Sequence, residues 1–170
     1  MLRITFITAC IFVCATTAQA KVLRFPDPIS YEVSGQLFTL KQPTLYGNLI
    51  KRLGKPIQED IGCVKSVDYA NTSFVAYDEV VSNENERAFF IQSITLQKPQ
   101  DKVVFESFSL NRDSSFSMVQ KFHHRPVEVS DGMSMYFFDI PETKKYDAYG
   151  YILYFKNQRL VKFEQWENNC

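Results

Sequence analysis

Apolar and polar positions alternate along much of the chain, and this alternation predicts a protein built mainly of short β-strands. Strand-like runs in the first half occupy residues 31–33, 36–40, 64–69, 73–81 and 88–96. Those in the second half occupy residues 103–110, 133–139, 148–155 and 160–166. Short polar stretches join the last two runs of each half, so both halves are expected to end in an antiparallel hairpin.

A spacing of three to four residues between apolar positions predicts one short helix in each half. The first helix has Thr44 as its N-cap, ends at Gly54 before Pro56, and carries on one face Leu45, Leu49, Ile50 and Leu53. The second begins after Ser114 or Ser115 and carries on one face Phe116, Val119 and Phe122. A helix packed on one face of an antiparallel sheet gives the α+β layer arrangement.

The second half of the sequence also repeats the order of the first. Offset by 70 residues, the first half matches the second at Phe38, Leu40, Lys51, Pro56 and Gly62. Offset by 72 residues, Ala76-Tyr77 matches Ala148-Tyr149 and Asn85-Glu86-Arg87 matches Asn157-Gln158-Arg159. Such a period favours an internal repeat. The predicted fold is therefore two tandem modules, residues 31–97 and 101–170, each a short helix packed on an antiparallel meander sheet.

The first twenty residues have the layout of a secretory signal peptide. Arg3 supplies a positive start, residues 4–14 form an apolar core, and Ala18-Gln19-Ala20 is a small-x-small cleavage site. A transmembrane helix is the alternative, but the apolar core is well short of the roughly 20 residues that span a bilayer. We expect cleavage before Lys21, no integral membrane segment afterwards, and an extended leader over residues 21–30.

Composition narrows the choice of partner. The chain has 19 Lys plus Arg and 19 Asp plus Glu, and loss of Arg3 would leave 18 against 19. Nucleic acid and anionic membranes call for a basic patch, so they are excluded as expected partners. After the predicted cleavage 13 Phe, 9 Tyr and one Trp remain, which is more ring surface than a core of this size needs. Surplus aromatic surface favours another protein as the partner.

Two cysteines, Cys63 and Cys170, follow the predicted signal peptide. In an oxidising compartment such a pair predicts a disulfide, and closing a loop of about 100 residues contributes on the order of 4 kcal/mol in the chain-entropy model. A reactive thiol is the alternative, although neither cysteine has a neighbouring histidine in the sequence. These features predict an exported protein, periplasmic or secreted.

Motifs for catalysis, metal binding and cofactor binding are weak in this sequence. His123 and His124 are adjacent, and adjacent side chains on a helix or strand chelate one metal poorly. Near a helix end they are expected to contact the last carbonyls. Acid pairs such as Asp78 with Glu79 leave an unrecognised enzyme open as an alternative. We expect no metal, no cofactor and no catalytic set.

Strand alternation predicts which side chains face away from the helices. In the last strand, Val161 and Phe163 are assigned to the helix side. In residues 133–139, Met135 and Phe137 are assigned to it as well. The opposite face is then predicted to carry five candidate partner-binding residues, namely Tyr136, Tyr154, Lys162, Glu164 and Trp166.

A signal peptide, tandem helix-plus-sheet modules and an aromatic sheet face together resemble the β-lactamase inhibitor proteins. That resemblance implies a sheet surface clamped on another protein. The helix ending Leu53-Gly54-Lys55-Pro56 is also similar to the small lipoproteins of the outer-membrane assembly machinery. The chain departs from the inhibitors because its one predicted disulfide would join the modules, and from the lipoproteins because it lacks a lipid-modified cysteine.

The sequence therefore favours a non-enzymatic inhibitor or immunity protein that blocks a periplasmic enzyme or toxin by steric occlusion. Two alternatives stay open. One is an envelope assembly or structural accessory protein, which would co-purify with membrane components. The other is a carrier of a small apolar ligand, which would retain a bound molecule.

Overall fold

The computed structural model describes residues 23–39, 42–61, 64–76, 82–130, 132–139 and 149–167. Within these ranges the chain forms thirteen strands, one α-helix and two short 3-10 turns. None of the helices in the described ranges is long and apolar enough to cross a membrane. The predicted signal peptide, Cys63 and Cys170 lie outside the described residues.

The first half contains seven strands and the helix. Its elements are β1 (Ser30–Val33), β2 (Gln36–Thr39), β3 (Thr44–Leu45), α1 (Tyr46–Leu53), β4 (Gln58–Ile61), β5 (Lys65–Tyr69), β6 (Thr72–Ala76), a 3-10 turn (Glu84–Glu86) and β7 (Ala88–Thr95). The second half contains β8 (Lys102–Val104), β9 (Ser109–Asn111), a 3-10 turn (Phe116–Met118), β10 (Arg125–Ser130), β11 (Met133–Asp139), β12 (Tyr149–Lys156) and β13 (Arg159–Glu167). The protein thus contains both helix and strand, and most of its regular structure is β-sheet.

The strands form two antiparallel sheets. The large sheet has the order β10-β11-β12-β13-β7-β6-β5-β4, with β3 added beside β7. The small sheet has the order β2-β1-β8-β9. Each strand order is symmetric about its centre, because every first-half strand has a second-half counterpart at the matching position. In the small sheet β1 corresponds to β8, and in the large sheet β7 corresponds to β13.

Matching irregularities reinforce this symmetry. The β6–β7 ladder skips Gln92 and the β12–β13 ladder skips Val161, so each hairpin has a bulge in its second strand. The three residues that follow each bulge form the ladder between β7 and β13, centred on Ile94 opposite Phe163. The bulged residues Gln92 and Val161 are 69 positions apart, whereas the sequence match of Asn85 with Asn157 gives a repeat offset of 72 positions.

Both sheets contribute to one core between them. Tyr31, Val33, Phe38, Val103 and Leu110 are buried on the small sheet. They face a buried set on the large sheet that comprises Val67, Phe74, Phe89, Ile91, Ile94, Phe138, Tyr151, Leu153, Phe155, Leu160 and Phe163. Phe25, from the residues predicted as a leader, is 2 % exposed and its ring lies 4.6 Å from that of Phe138. The leader is therefore part of the core.

The first helix was predicted correctly at its C-terminus and not at its start. Gly54 has φ 84° and its N–H donates to the carbonyl of Ile50 at 2.9 Å, which is a glycine stop. Thr44 does not cap the helix, because Thr44 and Leu45 form β3 and the helix begins at Tyr46. Leu49 is the one helix residue that is fully buried.

The predicted second helix is wrong. Only the 3-10 turn Phe116–Met118 forms there, and Ser115 makes no side-chain cap. The predicted strand over residues 103–110 is two strands, β8 and β9, with a turn between them. Two polar edge strands, β4 and β10, were not predicted at all. Pro126, predicted to follow a helix, lies in edge strand β10, where a missing N–H is tolerated.

An ion network beside α1 joins the 3-10 turn to β5, and a hydrogen bond joins the helix to β4. Glu84 accepts from Arg87 Nη2 at 2.7 Å and from Lys65 Nζ at 3.0 Å. These hydrogen bonds, from Arg87 first and Lys65 second, lower the pKa of Glu84 to about 2. Tyr46 donates its hydroxyl to Glu59, and burial followed by that hydrogen bond raises the pKa of Tyr46 to about 12.

The depressed pKa of Glu84 predicts acid sensitivity. The ionised group stabilises the fold above its ordinary pKa of 4.5, and this contribution is lost as the pH falls towards about 2. Glu84→Gln should lower the melting temperature at pH 7, and the gap to the wild type should close between pH 4.5 and pH 2. Thermal melts across that range test it, with Glu106→Gln as the exposed control. A gap that stayed constant with pH would contradict the assignment.

Candidate functional site

One face of the large sheet lies opposite the core, and we call it the outer face. A single lateral row of paired residues crosses all eight strands on this face. From β10 to β4 it runs Arg125, Phe137, Ile152, Glu164, Ser93, Ser73, Asp68 and Gln58. The β10–β13 half of the row includes the apolar and aromatic members, whereas the β4–β7 half is small and polar. Within this row the two halves therefore differ in chemistry, while Val75 and Phe90 place apolar side chains beside the β4–β7 half.

The aromatic patch is the part of the outer face on β10–β13, formed by Arg125, Met135, Phe137, Ile152, Tyr154, Lys162, Glu164 and Trp166. Phe137 lies at its centre and is 5 % exposed, yet it does not belong to the core cluster between the sheets. The Arg125 guanidinium lies 4.6 Å from the centre of the Phe137 ring. Trp166 meets the same ring edge-on, with centroids 5.6 Å apart. Phe137 is thus held on both sides by patch residues.

Gly150 makes room for this arrangement. It lies in β12 opposite Trp166, and a Cβ placed on it would come within 2.5 Å of Phe137 Cζ and 2.8 Å of the Phe138 carbonyl oxygen. The Phe137 ring occupies the space that a side chain at position 150 would need. A glycine in the middle of a strand often marks such a close approach.

Gly150→Ala is therefore expected to destabilise the protein by about 2 kcal/mol, the usual range for overpacking a closed site. The ring of Phe137 must move, so fluorescence of Trp166, the single tryptophan of the chain, should change as well. Gly47→Ala is the matched control, because its Cβ would lie 3.3 Å from Asn85 Cβ in an exposed turn and alanine favours the helix. Equal melting temperatures for the two variants would contradict this account of Gly150.

A second, polar part of the patch is already paired. Glu164 Oε2 accepts from the Tyr154 hydroxyl at 2.8 Å and from Lys162 Nζ at 2.7 Å. Lys162 Nζ also lies 5.0 Å from the centre of the Tyr154 ring. Burial first, and the hydrogen bond to Glu164 second, raise the pKa of Tyr154 above its usual range, so the phenol stays protonated and donates. The three side chains hold one another in fixed positions.

Four of the five predicted partner-binding residues lie together in the patch, and one does not. Tyr154, Lys162, Glu164 and Trp166 share the outer face. Tyr136 was placed there wrongly. It is paired with buried Leu153, packs against the core cluster and stacks on Phe116 at 4.1 Å.

Phe137 and Arg125 are patch residues that the sequence reasoning missed. Met135 and Phe137 are both predicted on the helix side and both lie on the outer face instead, because β11, with sequence MSMYFFD, carries large apolar side chains on both faces. Gly150 was the available signal, since an isolated glycine in a strand pattern points to a close neighbour on one face. Nothing in the sequence around Arg125 indicates that its guanidinium covers a ring.

His124 contacts an aromatic ring and a main-chain carbonyl. The His124 ring packs edge-on against Phe116 with centroids 5.2 Å apart, and its Nδ1 lies 2.7 Å from the Phe122 carbonyl oxygen and donates to it. The predicted contact with a nearby carbonyl is thus confirmed for His124, although the preceding segment is a 3-10 turn. Among the described residues, no group of three His, Cys, Asp or Glu side chains could hold a metal ion. Asp78 and Glu79 lie outside the described residues.

No protein-family model, curated protein or solved structure matches the chain. The resemblance to the β-lactamase inhibitor proteins therefore stays a prediction. The geometry of the aromatic patch is the basis for a functional proposal.

Proposed function

We propose that this protein is an exported inhibitor or immunity protein that covers the active site of another protein with its aromatic patch. The observation that carries the proposal is the packed trio of Arg125, Phe137 and Trp166 beside the paired Tyr154, Lys162 and Glu164. Tryptophan, tyrosine and arginine are the residue types that most often dominate binding energy at protein interfaces.

Rigidity of the patch supports binding with little loss of side-chain freedom. Its residues stand on four paired strands, and most of them already touch another patch residue. Immobilising a free side chain on binding costs roughly 0.5–1.5 kcal/mol, and a preorganised side chain avoids most of that cost. A preformed sheet surface is suited to blocking an active site by steric occlusion.

The charges of the patch favour a partner with a hydrogen-bond donor at the contact. Glu164 Oε2 is occupied by Tyr154 and Lys162, while Glu164 Oε1 accepts no hydrogen bond from the described residues. A hydrogen-bond donor from the partner would pair with Oε1. Binding would bury that oxygen, and a buried carboxylate oxygen without a hydrogen bond costs free energy. Such a group would orient the partner more than it would add to affinity.

The tandem modules, the signal peptide and the Cys63–Cys170 disulfide belong to the same proposal. The end-to-end symmetry of both strand orders supports an internal duplication. Export would place the two cysteines in an oxidising compartment. Mass spectrometry of the protein purified from its native cells tests both features. The expected results are an N-terminus at Lys21 and a mass lower by two hydrogen atoms for the disulfide. An uncleaved N-terminus or free thiols would overturn them.

Capture and assay together test the inhibitor function. The purified chain is immobilised, a protein is captured from the envelope of the source cell, and that protein's enzymatic or toxic activity is titrated with the free chain. Complete loss of activity at equimolar chain is the expected result. Retention of full activity in a saturated complex would leave a binding protein but exclude an inhibitor.

A further inference from the structure

A polar cleft lies on the core side of the large sheet, away from the aromatic patch. Its volume is about 650 Å³, within the range of small-ligand sites. The 3-10 turn Phe116–Met118 forms one wall and the β12–β13 turn forms another. The described lining consists of Ser115, Phe116, Ser117, Gln120, Gly132, Ser134, Tyr136, Phe155, Asn157 and Gln158.

The base of the cleft is a rigid aromatic cluster. Phe116 stacks on Tyr136 with centroids 4.1 Å apart, and Phe155 meets Phe116 edge-on at 5.6 Å. All three rings pack in or against the core. The exposed parts of Phe116 and Tyr136 therefore offer apolar surface at the base of the cleft.

The polar side chains of the described lining are uncharged, and the Ser115 and Ser117 hydroxyls already bond to each other at 2.6 Å. The amides of Gln120, Asn157 and Gln158 are exposed and make no side-chain hydrogen bond to any described residue. Hydroxyls and amides both donate and accept, whereas an anion would call for a cation. The described lining includes no lysine, arginine or histidine.

The β12–β13 turn carries backbone strain at the cleft. Asn157 has φ 51° and Gln158 has φ 63°, so both lie in the left-handed region. Two-residue hairpin turns of this kind usually carry glycine at the second position, because a Cβ is disfavoured there. Arg159 Nη1 donates to the Asp113 carbonyl and Leu160 N–H donates to the Ser114 carbonyl, which fasten this strained turn to the opposite wall. The turn therefore presents the Asn157 and Gln158 amides at the edge of the cleft.

We propose that this cleft binds a neutral carbohydrate of about disaccharide size. The C–H faces of a sugar ring would pack on the aromatic base, and its hydroxyls would exchange hydrogen bonds with the free amides and with Ser115, Ser117 and Ser134. The inference is independent of the proposed inhibitor function, because the cleft and the aromatic patch lie on opposite faces of the sheet.

Nuclear magnetic resonance titration of the isotopically labelled chain tests the proposal. The probes are maltose, cellobiose and N,N′-diacetylchitobiose, each raised to about 50 mM, with inorganic phosphate as the charged comparison. At least one disaccharide should shift the amides of residues 115–120 and 157–158 with a millimolar dissociation constant, and leave β4 and β5 unshifted. Tighter binding of a six-unit oligomer of the same sugar would identify a polymeric glycan as the ligand. Equal affinity for the oligomer and the disaccharide would identify a free sugar.

Variants separate binding from folding. Gln158→Gly should weaken the responding sugar about five-fold, the effect of one lost hydrogen bond, without lowering the melting temperature, since glycine accepts the strained backbone. Gln42→Ala, at an exposed amide in a different cleft, is the matched control and should bind as the wild type does. The proposal is overturned if no disaccharide shifts the cleft residues, if phosphate binds there more tightly, or if Gln158→Gly binds unchanged.

Discussion

Replacing Phe163 with alanine is expected to lower the free energy of unfolding by about 4 kcal/mol. Phe163 is fully buried in β13, at the centre of the ladder that joins the two halves of the large sheet. Its ring lies 5.1 Å from Tyr151 in that sheet, and 6.0 Å from Tyr31 and 6.2 Å from Phe105 across the core. Alanine would leave a cavity where the two sheets meet.

The melting temperature should then fall by about 10 °C, as expected for a domain of this size. Chemical denaturation of both proteins gives the free-energy difference. Phe90→Ala is the matched control, because Phe90 is a half-buried aromatic residue on the outer face of β7. The control should lose clearly less stability. A loss below about 1 kcal/mol for Phe163→Ala would contradict a shared core between the sheets.

Replacing Trp166 with alanine is expected to weaken partner binding by about 30-fold or more, the loss of a typical interface hot spot. Trp166 is half-buried in the free protein and packs on one neighbour of the aromatic patch, Phe137. The part of its surface that stays exposed is available to a partner. Truncation also removes the edge contact between Trp166 and the buried Phe137 ring, which supports the patch from below.

Isothermal titration of the captured partner with each variant measures this effect. Ile57→Ala is the control, because Ile57 is 74 % exposed beside β4, at the far edge of the large sheet. Its affinity should match that of the wild type. Trp166→Ala should remain folded at the titration temperature, which its circular dichroism spectrum verifies. An unchanged affinity for Trp166→Ala would place the binding surface elsewhere.

Strands with a clear apolar pattern were predictable from sequence, and the polar edges were not. Runs at residues 64–69, 88–96, 133–139 and 160–166 correspond to β5, β7, β11 and β13. Edge strand β4 is hydrophilic over Gln58, Glu59 and Asp60, and edge strand β10 contains Pro126. Proteins protect sheet edges with such residues, and the same residues hide the strand from a pattern search.

The predicted second helix failed because its spacing fits a tighter turn. Phe116, Val119 and Phe122 recur every three residues, which is the period of a 3-10 helix, whereas an α-helix needs 3.6. Val119 and Phe122 are buried all the same. The apolar positions were thus identified correctly while the backbone that presents them was not.

The candidate site was predictable only where one face of a strand is clearly polar. In β13 the alternation of Phe163 with Lys162 and Glu164 shows without ambiguity which side chains point to the core and which to the outer face. In β11 both faces are apolar, so the pairing of Tyr136 with Leu153 decides the facing, and that pairing is a tertiary fact. The contact between Arg125 and Phe137 likewise depends on an edge strand that the sequence did not reveal.

Radical footprinting of the complex between the chain and its captured partner tests the central claim most directly. Met135 lies in the aromatic patch and Met118 lies on the opposite side, where it is 43 % exposed, so the two methionines report on the two faces. Binding is predicted to slow oxidation of Met135 and Trp166 several-fold and to leave Met118 unchanged. Protection of Met118 with no change at Met135 and Trp166 would contradict the assignment of the aromatic patch as the partner surface.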